Sequence, residues 1–261
     1  MKLPGVRPGI GTTIKLTRGF VCLLGAGAVA WGLFVLPLFS KAATPQSVAQ
    51  KLLQDDSFKL RVLMAVTQEA QSVAQQPFCF PAALRGLYVL RFFLLNQIVD
   101  NSNPNLTRSS SAPLRNAVQN TLSCSPTDSL AWLTLFWLDA GSYGVNERNT
   151  NYLRLSYTFG PNEGWIALWR ARLAFLLFQR LPPDLANYAV GDFVKLVDTE
   201  RLYRETADMF KAASPGVQTR ILEQLSRTSL ASRESFSIAL RDLGVDVDVP
   251  GIENSRNGSW R

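Results

Sequence analysis

The segments "CSPTDSLAW" (Cys124–Trp132) and "FGPNEGWIALW" (Phe159–Trp169) share one pattern, and that pattern decides the fold class. In each, a small residue is followed by a proline, a polar residue, an acid and then an aromatic-rich apolar run. Proline suits the first turn of a helix, and an acid there interacts favourably with the helix dipole. Each segment is therefore predicted to open a helix.

The two prolines, Pro126 and Pro161, lie 35 residues apart. A tetratricopeptide unit has about 34 residues, contains two antiparallel helices and commonly closes on a proline. The match is loose, because the consensus Leu-Gly pair is absent and "LPPD" at Leu181–Asp184 breaks a strict period. We predict an all-α fold with tetratricopeptide-like helical hairpins, arranged as an α-solenoid or an orthogonal bundle.

Helical periodicity and helix-start residues extend this prediction along the chain, and Gly244 is expected to cap the last helix. The segment "DNSNPNLTRSSSAP" (residues 100–113) is predicted as a loop, and "VDVDVPG" as a short extended segment. The predicted helices cover 57–76, 81–99, 113–122, Thr127–Ala140, Asn149–Phe159, Asn162–Arg180, Asp184–Val197, Thr199–Ala212, Pro215–Arg227 and Leu230–Leu243.

Phe20–Phe39 is a run of twenty residues without a charge. As a helix it would be about 30 Å long, the hydrocarbon thickness of a bilayer. The first nineteen residues carry four basic side chains and no acid, out of a net charge of +7 for the chain. The positive-inside rule then predicts a cytoplasmic N-terminus and a periplasmic C-terminal domain. Because the basic residues cluster at this end, the high pI is weak support for nucleic-acid binding, and we expect none.

Other interpretations of this segment remain open. Ser40 and Ala42 form a small-x-small pattern that would suit signal-peptide cleavage, although the apolar run is longer than the usual signal core. A buried helix of a soluble domain is the third interpretation. Gly25, Ala28 and Gly32 share one face, which permits helix–helix contact in the membrane and a homo-oligomer, or is incidental.

Cysteine positions predict a structural disulfide. Cys22 lies inside the apolar run, which leaves Cys79 and Cys124 in the exported part. Exported cysteines are usually paired, and the alternative is two independent buried thiols.

The string from Cys124 to Asp184, with "LRDLGVDVDVPG" at residues 240–251, resembles a group of uncharacterised single-span envelope proteins of rhizobia and related alphaproteobacteria. The resemblance covers about Cys79–Gly251. It implies one N-terminal span, a helical-repeat-like exported domain and an association with cell-surface polysaccharide (exopolysaccharide) synthesis or export. No functional residues follow from it.

Histidine is absent from the whole sequence, which excludes Ser-His-Asp triads, Cys-His pairs and His-ligated metals. We therefore expect no catalytic residue, cofactor or metal. The surviving catalytic candidate is Glu163, because a carboxyl in the aromatic setting of Trp165 and Trp169 would suit a glycan-cleaving, lytic-transglycosylase-like acid. Its position at a helix start favours a structural role instead.

The aromatic cluster around these residues allows two interpretations: core packing between helices, or a surface for a glycan or a protein. The candidate interaction surface consists of Trp165, Trp169, Arg170 and Arg172.

The predicted organisation is a cytoplasmic tail (1–19), an anchor (20–39), a linker (40–57), a helical-repeat-like periplasmic domain (58–250) and a flexible tail (251–261). The preferred function is a membrane-anchored adaptor that binds another envelope protein. The alternative is a glycan-binding or glycan-cleaving domain that uses Glu163 and the nearby tryptophans.

Overall fold

The computed structural model describes residues 10–54, 56–76, 79–100, 104–199 and 201–252. Over these residues the chain is all-helical, with eleven α-helices, one 3₁₀ turn and no strand. The chain divides into two compact units, Met1–Thr107 (unit 1) and Arg108–Arg261 (unit 2). The all-α prediction is confirmed, and the tetratricopeptide-like arrangement stays a prediction. This division differs from the single predicted domain at 58–250.

Unit 1 contains three helices that pack against one another: α1 (Ile10–Leu53), α2 (Leu60–Ala74) and α3 (Pro81–Asp100). The N-terminal part of α1 includes Thr17–Pro37, a segment of mean hydropathy 2.2 that has no buried residue. This segment is long and apolar enough to cross a bilayer.

The residues predicted as a linker continue α1 to Leu53 instead of forming a separate segment. Ala42, Ala49 and Leu52 are buried there, so this part of α1 belongs to the packed core of unit 1. One apolar face is enough to hold a polar segment of this kind as a helix against its neighbours.

Unit 2 contains most of α4 (Pro104–Cys124) and the helices α5 to α11. Helix α5 packs against α6, α7 against α8, and α9 against α11, while α8 also contacts α6, α9, α10 and α11. The remaining bounds are α5 Ser129–Tyr143, α6 Glu147–Phe159, α7 Gly164–Leu176, α8 Pro183–Asp198, α9 Tyr203–Ala212, α10 Pro215–Leu225 and α11 Leu230–Asp242, with a 3₁₀ turn at Phe178–Arg180.

The loop predicted at residues 100–113 is wrong from Pro104 onward, where α4 begins. Proline is tolerated in the first turn because its missing N–H would have no partner there. Farther along α4, Leu114, Ala117, Val118 and Thr121 are buried on one face. This buried face stabilises the C-terminal half of α4.

The end of the described chain packs more closely than predicted. Gly244 has a φ of 72°, and the N–H of Val245 donates to the Leu240 carbonyl at 2.9 Å, so Gly244 ends α11 as predicted. The segment that follows is irregular, and Val249 is buried in the core of unit 2 while Ile252 packs against it. Of the predicted tails, residues 1–9 and 253–261 lie outside the described residues.

Cys79 and Cys124 are disulfide-bonded, whereas Cys22 is exposed and has a free thiol. The bond closes a loop of about 45 residues, for which loop-closure entropy gives about 4 kcal/mol of stabilisation.

Replacing both Cys79 and Cys124 by serine should therefore lower the free energy of unfolding by about that amount, measured by urea denaturation of the full chain in detergent. The Cys22→Ser control should unfold as the wild type does. Identical unfolding midpoints with and without reductant would contradict the prediction.

Candidate functional site

The four residues of the predicted interaction surface lie on α7, but they do not share an exposed face. Arg172 is exposed, Trp165 and Trp169 are half-buried, and Arg170 is 0% exposed. Including Arg170 in a surface was therefore wrong. It occupies the inward face of α7, whose other buried positions are Ile166, Ala167, Leu168, Ala171 and Ala174.

The buried guanidinium of Arg170 donates five hydrogen bonds within unit 2. Its Nε donates to Asp192 Oδ2 at 2.8 Å, and its Nη2 donates to Asp192 Oδ1 at 3.4 Å. Its Nη1 donates to the carbonyls of Gly160 at 2.9 Å and Ser156 at 3.0 Å, and more weakly to Ser129 Oγ at 3.4 Å. One side chain thus ties α5, the end of α6, the Gly-Pro turn and α8 to α7.

The Gly-Pro turn at Gly160 and Pro161 packs closely against Ser129 and Arg170. A Cβ at Gly160 would overlap the Ser129 side chain, whose hydroxyl donates to the Ser156 carbonyl at 2.8 Å. The φ of Gly160 is −137°, which any residue can adopt, so backbone conformation does not require a glycine here. Glycine is needed because a side chain at position 160 would overlap Ser129. The "FGP" of the opening motif thus positions a carbonyl oxygen for Arg170.

Asp192 and Tyr157 complete the surroundings of Arg170. Burial raises the pKa of the Asp192 carboxyl, and the hydrogen bonds and charge of Arg170 act against that rise. The Tyr157 ring packs on the guanidinium, with 4.5 Å between Arg170 Cζ and the ring centroid. Burial, followed by the charge of Asp192, raises the pKa of the Tyr157 phenol, so this hydroxyl stays protonated.

Glu163 occupies the N-cap position of α7, and its side chain makes no capping hydrogen bond. It is half-buried at the helix start, and it does not line either of the two grooves discussed below. The structure thus places Glu163 at a helix start, as the sequence predicts.

A polar groove of about 530 Å³ runs between α6 and α8. Its α6 side includes Arg154 and Tyr157, and its α8 side includes Asp184, Tyr188 and Asp192. Arg154 forms a bidentate ion pair with Asp184, with N–O distances of 2.9 and 3.2 Å. The hydrogen bond from Arg154 lowers the pKa of the Asp184 carboxyl.

An apolar groove of about 350 Å³ lies between α7 and α9. Leu176, which is 83% exposed, projects at this groove together with Phe175 and Met209. Arg172 and Asp208 add one positive and one negative side chain to its lining. Arg172 is the predicted surface residue that this groove includes.

Neither Asp192 nor the polar groove was predicted from the sequence. The available signal was an acid within the mostly apolar face of α8, matched by an arginine in the apolar face of α7. Among the described residues, no group of three or more Cys, Asp or Glu side chains is placed to hold a metal ion.

The chain matches no protein-family model, no curated protein and no solved structure. Inferences about its function therefore start from the grooves and from the apolar segment of α1.

The Arg170–Asp192 pair should control the stability of unit 2. Removing one member of a buried ion pair leaves an uncompensated charge and typically costs about 3–5 kcal/mol. Arg170→Met should lower the free energy of unfolding by about that amount in urea denaturation followed by circular dichroism. The double variant Arg170→Met/Asp192→Leu should recover much of the loss, because no buried charge remains.

The matched control is Arg172→Met, which changes an exposed arginine on the same helix and should alter stability by no more than about 0.5 kcal/mol. Equal destabilisation by Arg170→Met and Arg172→Met would show that the buried pair has no special role.

Proposed function

We propose that the protein is a single-span membrane protein of the bacterial envelope whose periplasmic part acts as an adaptor for another envelope protein. The apolar segment Thr17–Pro37 supports the anchor, since none of it is buried in the protein and basic residues precede it. The resemblance noted above suggests an accessory role in polysaccharide synthesis or export.

The observation that carries the adaptor proposal is the exposed Leu176 in the apolar groove between α7 and α9. A leucine that is 83% exposed beside Phe175 and Met209 leaves apolar surface in contact with water. Apolar surface of this kind, with charged residues at its edge, commonly marks a site for protein association. Aromatic residues, methionine and arginine are also enriched in such interfaces.

The charges of the groove indicate what its partner should present. Arg172 and Asp208 have opposite charges and both line the groove. A partner segment that fits would insert one apolar side chain beside Leu176 and place an acid near Arg172 and a base near Asp208. Such pairing would fix the orientation of the partner more than it would add affinity.

The anchor and its direction can be tested with reporters fused to the C-terminus of the full chain. Alkaline phosphatase, which folds in the periplasm, should be active, and a fluorescent protein that folds only in the cytoplasm should be dark. Because α1 is the membrane-crossing element of the proposal, replacing Leu23 and Leu24 by arginine should reverse both signals or block insertion. A fluorescent C-terminal fusion in the unaltered chain would refute the periplasmic assignment.

The docking surface can be tested by placing a photo-crosslinking amino acid at Leu176 in cells. We expect one cross-linked partner, identified by mass spectrometry, whose yield falls at least about tenfold when Arg172→Glu is added. The control position is Ile238, which is 51% exposed on α11 and lies outside this groove. The same product from both positions, or a yield that Arg172→Glu leaves unchanged, would refute the adaptor proposal.

A further inference from the structure

The part of unit 1 that lies beside the end of the apolar segment leaves an aromatic pair partly uncovered. Phe39, two residues beyond that segment, is 58% exposed, although its ring contacts the Phe80 ring with 4.8 Å between centroids. Phe80 immediately precedes α3 and packs against the buried cluster of Ala42, Val73 and Ala83. Two phenylalanines from separate segments of the chain therefore form one apolar pair next to the apolar segment.

The directions of the helices fix the level of this pair within unit 1. Ala83 of α3 packs with Ala42 of α1, and one turn farther along both helices Gly86 lies against Gln46. Helix α3 therefore runs in the same direction as α1 and begins near the level of Phe39. Helix α2, whose last turn packs on the same cluster, runs the opposite way. The start of α3 thus faces the apolar segment, and the start of α2 lies at the other end of unit 1.

The length of the apolar segment gives this level a depth relative to a bilayer. Thr17–Pro37 has 21 residues, which make about 31 Å of helix and match a hydrocarbon core of about 30 Å. The headgroup layer adds about 5–8 Å on each side. Since α1 is one helix to Leu53, Phe39 lies about 3 Å and Ala42 about 8 Å beyond the hydrocarbon edge. Phe80 and the first turn of α3 share these levels, which are those of the headgroups.

The distribution of charge in unit 1 also suits a lipid surface at this end. No acid occurs in residues 1–54 or 70–99. Asp56 follows the end of α1 and Asp100 ends α3, so both lie at the opposite end of unit 1. Lys41, by contrast, is exposed and lies next to Phe39 along α1. A lysine at this depth can pair with lipid phosphates, and phenylalanine is a common apolar residue of segments that bind the membrane surface.

We propose that the membrane-facing end of unit 1, formed by Phe39, Lys41, Phe80 and Ala82, lies in the headgroup layer, so that the partner of this surface is the lipid bilayer. The two rings pack among the upper acyl chains, and Lys41 pairs with phosphate. The contact is a second attachment to the membrane, and it holds unit 1 against the bilayer surface. This inference rests on the proposed anchor and goes beyond it, because Phe80 and Ala82 do not belong to α1.

The test uses the full chain reconstituted in bilayers of phosphatidylcholine and phosphatidylglycerol. A genetically encoded naphthyl amino acid replaces Ala82, which is exposed in the first turn of α3, so that Phe80 stays intact. The bilayers contain lipids that carry a nitroxide quencher either on the headgroup or near the middle of an acyl chain. The headgroup nitroxide should quench at least about half of the emission, and the mid-chain nitroxide much less, because the label lies outside the hydrocarbon core.

Two reference positions separate a failure of this inference from a failure of the anchor. Val29, near the centre of the apolar segment, should be quenched most by the mid-chain nitroxide, and Leu60, at the start of α2, by neither lipid. Quenching at Val29 with no more quenching at Ala82 than at Leu60 would overturn this inference and leave the anchor standing. Absence of quenching at Val29 would overturn the anchor, and this inference with it.

Variants assign the contact to particular side chains. Phe80→Ser should lower headgroup quenching at Ala82 at least about twofold, because a polar side chain no longer holds the start of α3 in the layer. The matched control is Phe58→Ser, which changes a half-buried phenylalanine at the other end of unit 1 and should leave quenching at Ala82 unchanged.

Lys41→Glu should lower quenching at Ala82 only in bilayers that contain the anionic lipid, because the new acid is repelled by lipid phosphates of net negative charge. Lys59→Glu, at an exposed lysine beside the start of α2, is the control and should have no effect. Both positions are exposed, so neither change disturbs the core. Quenching that neither Phe80→Ser nor Lys41→Glu lowers, or that is stronger from the mid-chain nitroxide, would overturn the assignment of this end to the headgroup layer.

Discussion

The structure of unit 2 depends on the placement of one cation, the guanidinium of Arg170, in a fully buried position. A buried charge is costly unless its hydrogen-bonding capacity is met. Here the capacity is met by one carboxylate and by carbonyl oxygens that the chain offers only if α6 ends where it does and Gly160 follows. The cation therefore constrains the ends of helices, in addition to pairing two of them, and a shifted register of α7 would leave both Arg170 and Asp192 unpaired.

The sequence was sufficient to predict the fold class and most helices of unit 2, because caps and apolar periodicity are local signals. Asp128 illustrates this, since its Oδ1 accepts from the Ala131 N–H at 3.0 Å as an acid at a helix start should. The Ser-rich start of α4 was mispredicted as a loop, and residues 40–53, predicted as part of a linker, continue α1 with Ala42, Ala49 and Leu52 buried. Local rules describe preferences, and the buried face of α1 at these residues comes from tertiary packing.

The site was predicted less well than the fold for a related reason. Arg170 was predicted to be a surface residue because an arginine beside tryptophans is usually exposed, with its stem on apolar neighbours. Only the three-dimensional structure shows that Asp192, 22 residues farther along, supplies the counter-charge. The polar groove also depends on the three-dimensional structure, since Tyr157 and Tyr188 come together only when α6 and α8 are neighbours.

Asp192 belongs both to the buried network around Arg170 and to the polar groove, because it pairs with Arg170 in the interior and lines the groove from α8. Tyr157 does the same from α6, since its ring packs on the guanidinium and the residue lines the groove. The groove wall is therefore held by the buried network and does not have to be ordered by a ligand. Pre-ordering of this kind lowers the entropy cost of binding.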